Sequence, residues 1–168
     1  MKKILFQESQ KNIQVLAIVP AVLVTMLFGI LSFMQIILHK QMGNNPAPNW
    51  LLLLFFLGSP FMLYLFSSQT LKTLITEDEI IVSFGFFTSK KVVNINEISN
   101  LSVRKYDALK EFLGWGVRTN GENDCYTVKG NDGLEISLSN GKRILIGTKK
   151  PIEIQNIIND NFLTKFKK

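Results

Sequence analysis

The sequence is short of the side chains that do chemistry. It holds one cysteine, Cys125, and one histidine, His39. A lone thiol excludes an intrachain disulfide and any metal cluster built from thiolates. It fits a reducing compartment, and its plainest role is that of a small packed side chain. His39 sits at the end of an apolar run, so no Ser-His or Cys-His couple forms in the C-terminal portion. Metal-ligand spacing is missing as well. The expectation is a protein that is not an enzyme, with no cofactor and no small-molecule substrate.

Charge is absent from two long windows, residues 13–38 and 50–71. Elsewhere it is spread thinly. The net charge of +6 divides into +2 from residues 1–12, +1 from 39–49 and +3 from residue 50 onward. No basic patch interleaved with aromatics stands out, which argues against nucleic acid. A cytoplasmic membrane face accounts for the mild positive balance.

The apolar windows carry the first positive signal. "VLAIVPAVLVTMLFGILSFMQIIL", from Val15 to Leu38, is 24 residues long, about 36 Å as a helix, enough to cross a ~30 Å hydrocarbon core. It follows a polar dozen and has no A-x-A-like cleavage site after it, unlike a signal peptide. "WLLLLFFLGSPFMLYLFSS" is shorter, and Gly58, Ser59 and Pro60 predict a kink at mid-depth. Trp50 and Tyr64 suit interfacial anchors. The reading is two transmembrane helices (about 13–38 and 50–68) within 13–68, joined by a short external loop, 39–49. Lysines flank the pair, so the positive-inside rule places both termini in the cytoplasm: residues 1–12 as a tail, and 69–168 as a domain. The expected location is a bacterial inner (cytoplasmic) membrane, crossed more than once.

Ala17, Ala21, Thr25 and Gly29 form a small-residue stripe on the first helix. It packs either against the chain's own second helix, the simpler reading, or against another copy. Gln35 and His39 read as interface residues, since no intramembrane carboxylate partners them. The same lack speaks against a transporter.

From residue 69 the apolar period changes to two. "LKTLI", "EIIVSF", "KKVVNI", "ISNLSVRKY", "GWGVR", "CYTVKG", "LEISLS" and "RILIG" read as strands separated by turn residues. Asn140-Gly141 predicts a two-residue type I′ hairpin. Pro151 then opens an amphipathic helix, about 151–166, with Ile154, Ile157, Ile158, Phe162 and Phe166 on one side. The fold class is a membrane α-helical hairpin plus a mainly-β domain. That domain has about seven antiparallel strands in a bent sheet or open barrel, capped by a C-terminal α-helix.

The most distinctive stretch is "GWGVRTNGENDCYTVKGNDG", residues 114–133. Its glycines invite a phosphate-cradle reading, but GWGVR is not G-x-G-x-x-G, opens no helix and lacks the lysine of a P-loop. Gly114 and Gly116 more simply let a sheet bend while Trp115 fills the core or barrel mouth. Arg104 and Arg118 are expected to pair with Asp107, Glu111 or Asp124.

These residues carry a resemblance. Arg104 and Tyr106 form an R-x-Y segment ahead of Gly114, Trp115, Gly116 and Arg118. Gly130, Asn131 and Gly133 follow, and then Gly147, Thr148 and Pro151 at a strand-to-helix junction. This pattern resembles a two-helix membrane family with a pleckstrin-homology-like (PH-like) domain, of Bacteroidetes-type bacteria. The resemblance covers nearly the whole chain. It implies fold and membrane topology, with these twelve positions as structural signature.

Function is then expected to be non-catalytic: presentation of a cytoplasmic PH-like module for protein–protein interaction or scaffolding, with protein partners or a homo-oligomer beside the lipid bilayer. The alternative is sensing of anionic lipid head groups through Lys90, Lys91, Lys149 and Lys150. The acidic "TEDE" at 76–79 speaks against phosphoinositide binding at that turn. A subunit of a transport or assembly complex is the third option.

Overall fold

The computed structural model describes residues 3–11, 15–40, 43–85, 88–119 and 123–162 of the 168, apart from the side chains of residues 15–17 and 66. Two compact units emerge: residues 1–12 together with 69–168, and residues 13–68. The first unit corrects the expected domain boundary. The N-terminal dozen is no tail, because Ile4–Lys11 is a strand, β1, of the β-unit.

β1 pairs antiparallel with β2 (Thr70–Thr76), from Ile4 opposite Thr76 to Lys11 opposite Thr70. β3 (Glu79–Phe84) and β4 (Lys91–Asn94) complete a four-stranded meander in the order β1-β2-β3-β4. A single 3₁₀ turn, Ile95–Glu97, leads into β5 (Ile98–Lys105) of a second sheet. There β6 (Gly116–Thr119), β7 (Asn123–Thr127), β8 (Asp132–Leu138) and β9 (Arg143–Gly147) join it in the order β5-β8-β9-β7-β6. The unit is thus mixed α/β with two sheets, and its described residues form nine strands rather than about seven. Nor is it wholly antiparallel, since β7 and β9 run parallel.

The β8–β9 turn also departs from expectation. The Leu138 amide donates to the Lys142 carbonyl and that of Gly141 to the Leu138 carbonyl, leaving a three-residue loop, Ser139–Gly141. Gly141 lies at φ +86°, the left-handed residue that follows a type I turn in such loops.

Alternation sorts each strand between two faces. Leu71, Ile75 and Ile80 of the first sheet meet Leu134, Ile136, Ile144 and Ile146 of the second in one buried core. The terminal helix covers part of it, through Ile154, Ile158 and the residue that closes it, Phe162. The described helix is Pro151–Asn161, and the expected extension to 166, with Phe166, lies outside the described residues.

The inward positions of β1 are Phe6, Glu8 and Gln10, all buried. The Glu8 carboxylate accepts from Thr148 Oγ1 at 2.7 Å and from the Lys149 amide at 3.0 Å. Gln10 Nε2 donates to the Gly147 carbonyl at 2.9 Å. The first strand thereby clamps the junction between β9 and the terminal helix. Glu8→Ala strands a buried hydroxyl and a backbone N–H, and is expected to lower unfolding free energy by about 2–3 kcal/mol. Glu8→Gln keeps an acceptor and should lose less. Equal shifts of the urea midpoint for the two variants would contradict this role.

The second unit consists of α1 (Val15–Ser32), extended by a π-helical turn over Phe33–Ile37, and α2 (Asn49–Ser67). α2 runs unbroken through Pro60. Thr25 Oγ1 lies 2.7 Å from Ser59 Oγ, Phe28 stacks on Phe55, and Gln35 donates to Asn49 Oδ1, so the helices pack antiparallel. The small-residue stripe faces α2: a Cβ on Gly29 would sit 3.0 Å from the Phe56 ring. Ala17's side chain lies outside the described residues. Gln35 also holds the connecting loop, donating to the Ala47 carbonyl.

Among the described residues one segment, Ile18–Ile37, is long and apolar enough to cross a membrane by length and composition. The apolar part of α2, Asn49–Leu65, is shorter.

Candidate functional site

The signature residues of the sequence come together on the face of the second sheet opposite the main core. Along β7 and β9, Tyr126, Ile144 and Ile146 point inward, while Cys125 and Leu145 point outward. Over them lie Tyr106, Ala108, Phe112 and Trp115, carried by the segment that links β5 to β6. Trp115 therefore packs on this outer cluster, not in the main core or a barrel mouth.

The spacing of the motif follows from one ring. Gly133 of β8 and Gly147 of β9 are directly opposed in the ladder, and Tyr106 lies across both. A Cβ on Gly133 would fall 3.2 Å from the tyrosine ring, and one on Gly147 would fall 3.0 Å from its hydroxyl. Two glycines facing each other on a β-ladder make a slot that any side chain would fill. The Tyr106 amide donates to the Asn131 carbonyl at 2.7 Å, and Trp115 Nε1 donates to the Gly130 carbonyl at 3.4 Å. Gly114 (φ +127°) and Gly116 (φ +115°) take backbone shapes that other residues rarely adopt, which lets the chain turn into β6 beside the indole.

A one-turn helix, α3 (Ala108–Phe112), bridges the two aromatics. Asp107 caps it, accepting from the Leu109 and Lys110 amides, and Glu111 reaches back to the Asp107 amide. Arg104 Nη2 bonds Glu111 Oε2 at 2.9 Å, and its Nε meets Glu135 Oε2 at 3.1 Å. The Glu111 pairing was expected, and the Glu135 one was not. The hydrogen bond to Glu111 raises Arg104 above its ordinary value and holds the Glu111 carboxyl below the usual carboxylate range. A depressed carboxyl stabilises the fold above its unfolded pKa and loses that contribution as pH falls through the folded one. Both groups are partly exposed, so the contribution is small.

Burial raises the Tyr106 hydroxyl well above its ordinary value, and pushes the Cys125 thiol up to about 11. Both stay protonated at neutral pH, the opposite of what a nucleophile or general base requires. Cys125 is accordingly expected to resist alkylation at pH 8 in the folded protein and to react fully once the chain is denatured. Rapid labelling of the native protein would contradict this account.

Two of the remaining signature positions, Thr148 and Pro151, are structural as well. Thr148 holds Glu8, and its amide donates to the Asp132 carbonyl at 2.9 Å. Pro151 begins the terminal helix, called α4 from here on. Arg118 is exposed on β6 and has no carboxylate at ion-pair distance among the described residues. Asp124 pairs instead with Lys91 at 3.4 Å.

The four lysines considered for lipid fall into two separate pairs. Lys90 and Lys91 lead into β4 at one edge of the first sheet, and Lys90 reaches across its face to line, with Ser83, Lys72 and Ser9, a trough of about 420 Å³ over β3, β2 and β1. Lys149 and Lys150 lie beyond the other edge, next to β1. There Lys150 is bound to Glu153 at 2.8 Å and sits over the Phe6 ring. Lys72 had given no sequence signal, because only strand pairing brings it beside Lys90.

Among the described residues no group of histidine, cysteine, aspartate and glutamate has a metal-binding arrangement. The comparisons with known proteins add no relative: no family model matches the chain, and a search of curated proteins finds no match either.

Proposed function

We propose that the chain is a membrane-anchored PH-like module without catalytic activity, which presents its β-unit to protein partners, other copies of itself among them. One observation carries the anchoring. β1 precedes the helical segment and β2 follows it, yet the two are hydrogen-bonded neighbours in one sheet. A chain that crosses a bilayer through α1 must therefore cross back before Thr70, and α2 is the element in between.

The surface of the helices supports this reading. Leu23 on α1 is 62% exposed and Leu57 on α2 is 63% exposed, and many of their apolar neighbours are similarly uncovered. Uncovered apolar area on that scale suits lipid rather than water. The α2 stretch of 17 residues rises about 26 Å, a modest mismatch that Trp50 and Tyr64, both exposed near its ends, help to absorb. The lysines of residues 1–12 then favour the β-unit on the cytoplasmic side of a bacterial inner membrane.

The PH-like assignment draws on the signature residues and on a meander followed by a second sheet and a covering helix. The non-catalytic reading draws on where those residues went: all but the exposed Arg118 are used in packing, pairing or turning the chain. A reporter fused at Lys168 is expected to be active only as a cytoplasmic fusion, and one inserted at Asn45 only as an external one. The interaction reading fails if the detergent-solubilised chain is strictly monomeric and crosslinking in cells captures no protein.

A further inference from the structure

Among the described residues the β-unit buries its apolar side chains with few exceptions, and two of those exceptions share one turn of chain. Leu113 is 87% exposed and Leu109 is 58% exposed, side by side at the tip of α3. The other large exposed apolar residues of the unit among those described, Ile4, Val92 and Ile152, lie singly on three separate elements.

Leu113 is also in a backbone conformation that leucine seldom takes, φ +58° and ψ +28°. Two hydrogen bonds hold it there, from the Leu113 amide to the Leu109 carbonyl and from the Gly114 amide to the Ala108 carbonyl. A glycine would end this helix with less strain, and nothing in the β-unit buries the leucine side chain in return. A rigid turn thus displays two apolar side chains whose burial the fold does not provide. Such preorganisation removes the ordering cost of a contact made elsewhere.

The charges around the tip indicate the kind of surface. Of the acidic side chains, Asp107 caps α3 and Glu111 binds Arg104, while Asp132, opposite Lys105, makes no ion pair among the described residues. The cations are freer. Lys110 is almost fully exposed and only loosely paired with Asp107 at 3.8 Å. Arg118 reaches within 3.9 Å of where a Gly114 Cβ would stand, and Lys129 precedes the glycine that receives the Trp115 indole. An apolar tip inside a cationic rim is the arrangement that enters the interfacial zone of an anionic bilayer.

We propose that the α3 tip is a membrane-surface contact: Leu109 and Leu113 enter the interfacial region of a bilayer, and Lys110, Arg118 and Lys129 meet its anionic head groups. The inference rests on the anchoring proposed above. Only residues 12–14 separate β1 from α1, and only residues 68 and 69 separate α2 from β2, so helices that cross a bilayer tether the β-unit to it through two short linkers. Two leucines are far too small for a stable protein interface of roughly 1,600 Å², but they suffice to settle a domain that is already tethered.

The test uses the full chain in nanodiscs, with an environment-sensitive fluorophore on L113C and, separately, on I152C. Cys125 is buried and leaves the introduced thiol as the reactive one. With phosphatidylglycerol present, the Leu113 probe is expected to shift to the blue, brighten several-fold and be quenched by brominated acyl chains. The shift should shrink in high salt and in R118E/K129E, while the Ile152 probe stays water-like. Water-like emission from the Leu113 probe, or equal responses at both sites, overturns the proposal. So does shielding that appears only as the number of chains per disc rises, which would assign the tip to a second copy. A chain that does not enter nanodiscs sinks the anchoring along with it, whereas entry without a probe response sinks the α3 contact alone.

Discussion

Expressed alone, residues 69–168 are expected to show no cooperative unfolding transition. Residues 1–12 joined to them by a short flexible linker in place of 13–68 are expected to restore one. The reason is β1. It contributes a buried phenylalanine, two buried polar side chains bonded across to Gly147, Thr148 and Lys149, and a ladder that runs the length of β2. Losing Phe6 by itself corresponds to about 3–5 kcal/mol on the scale of large-to-small core substitutions. A domain of this size has about 5–15 kcal/mol in total. Removing the strand also bares the backbone edge of β2, so the shortened chain has little stability left. Lys11 lies opposite Thr70, which means that a tight linker can rejoin the pieces without strain. Circular dichroism followed through urea decides the matter: equal midpoints for the two chains would refute the assignment of β1 to the domain.

Phe162→Ala is expected to cost about 3–5 kcal/mol in the same rejoined chain. Phe162 is almost wholly buried and closes α4, its amide donating to the Ile158 carbonyl at 2.9 Å. With Ile154 and Ile158 it forms the stripe that lays the helix over the core. Ile152, two residues before Ile154 and 76% exposed, provides the contrast: Ile152→Ala should shift stability by no more than about 0.5 kcal/mol. A loss below about 1 kcal/mol for Phe162→Ala would mean that α4 is only loosely docked.

Much of this was legible in the residues. Eight short runs rich in β-branched and aromatic residues, from "LKTLI" to "RILIG", each overlap one strand from β2 to β9, with "GWGVR" and "CYTVKG" offset by two or three residues from β6 and β7. Pro151 and the spacing of Ile154, Ile158 and Phe162 located α4, because one face must be apolar to be buried. β1 escaped because its inward residues after Phe6 are Glu8 and Gln10. A strand that buries polar groups has no hydrophobic period to read. Those groups are tolerable only because partners 137 to 141 positions away satisfy them.

The signature cluster divides along the same line. The sequence by itself determined that Gly114 and Gly116 bend the chain beside a packed Trp115 and that Gly133 sits at a turn, while Gly147 stood out only through the family pattern that the chain resembles. It could not say that Gly133 and Gly147 face each other beneath Tyr106, because that depends on the register of β8 against β9. Nor could it give the parallel pairing of β7 with β9, or the separation of Lys90 and Lys91 from Lys149 and Lys150 by a whole sheet. Side-chain period and turn chemistry are local and act over a few residues, so the chain declares them directly. Pairing partners, buried polar contacts and the exposed turn of α3 depend on which distant segments meet, and only the assembled sheets bring those segments together.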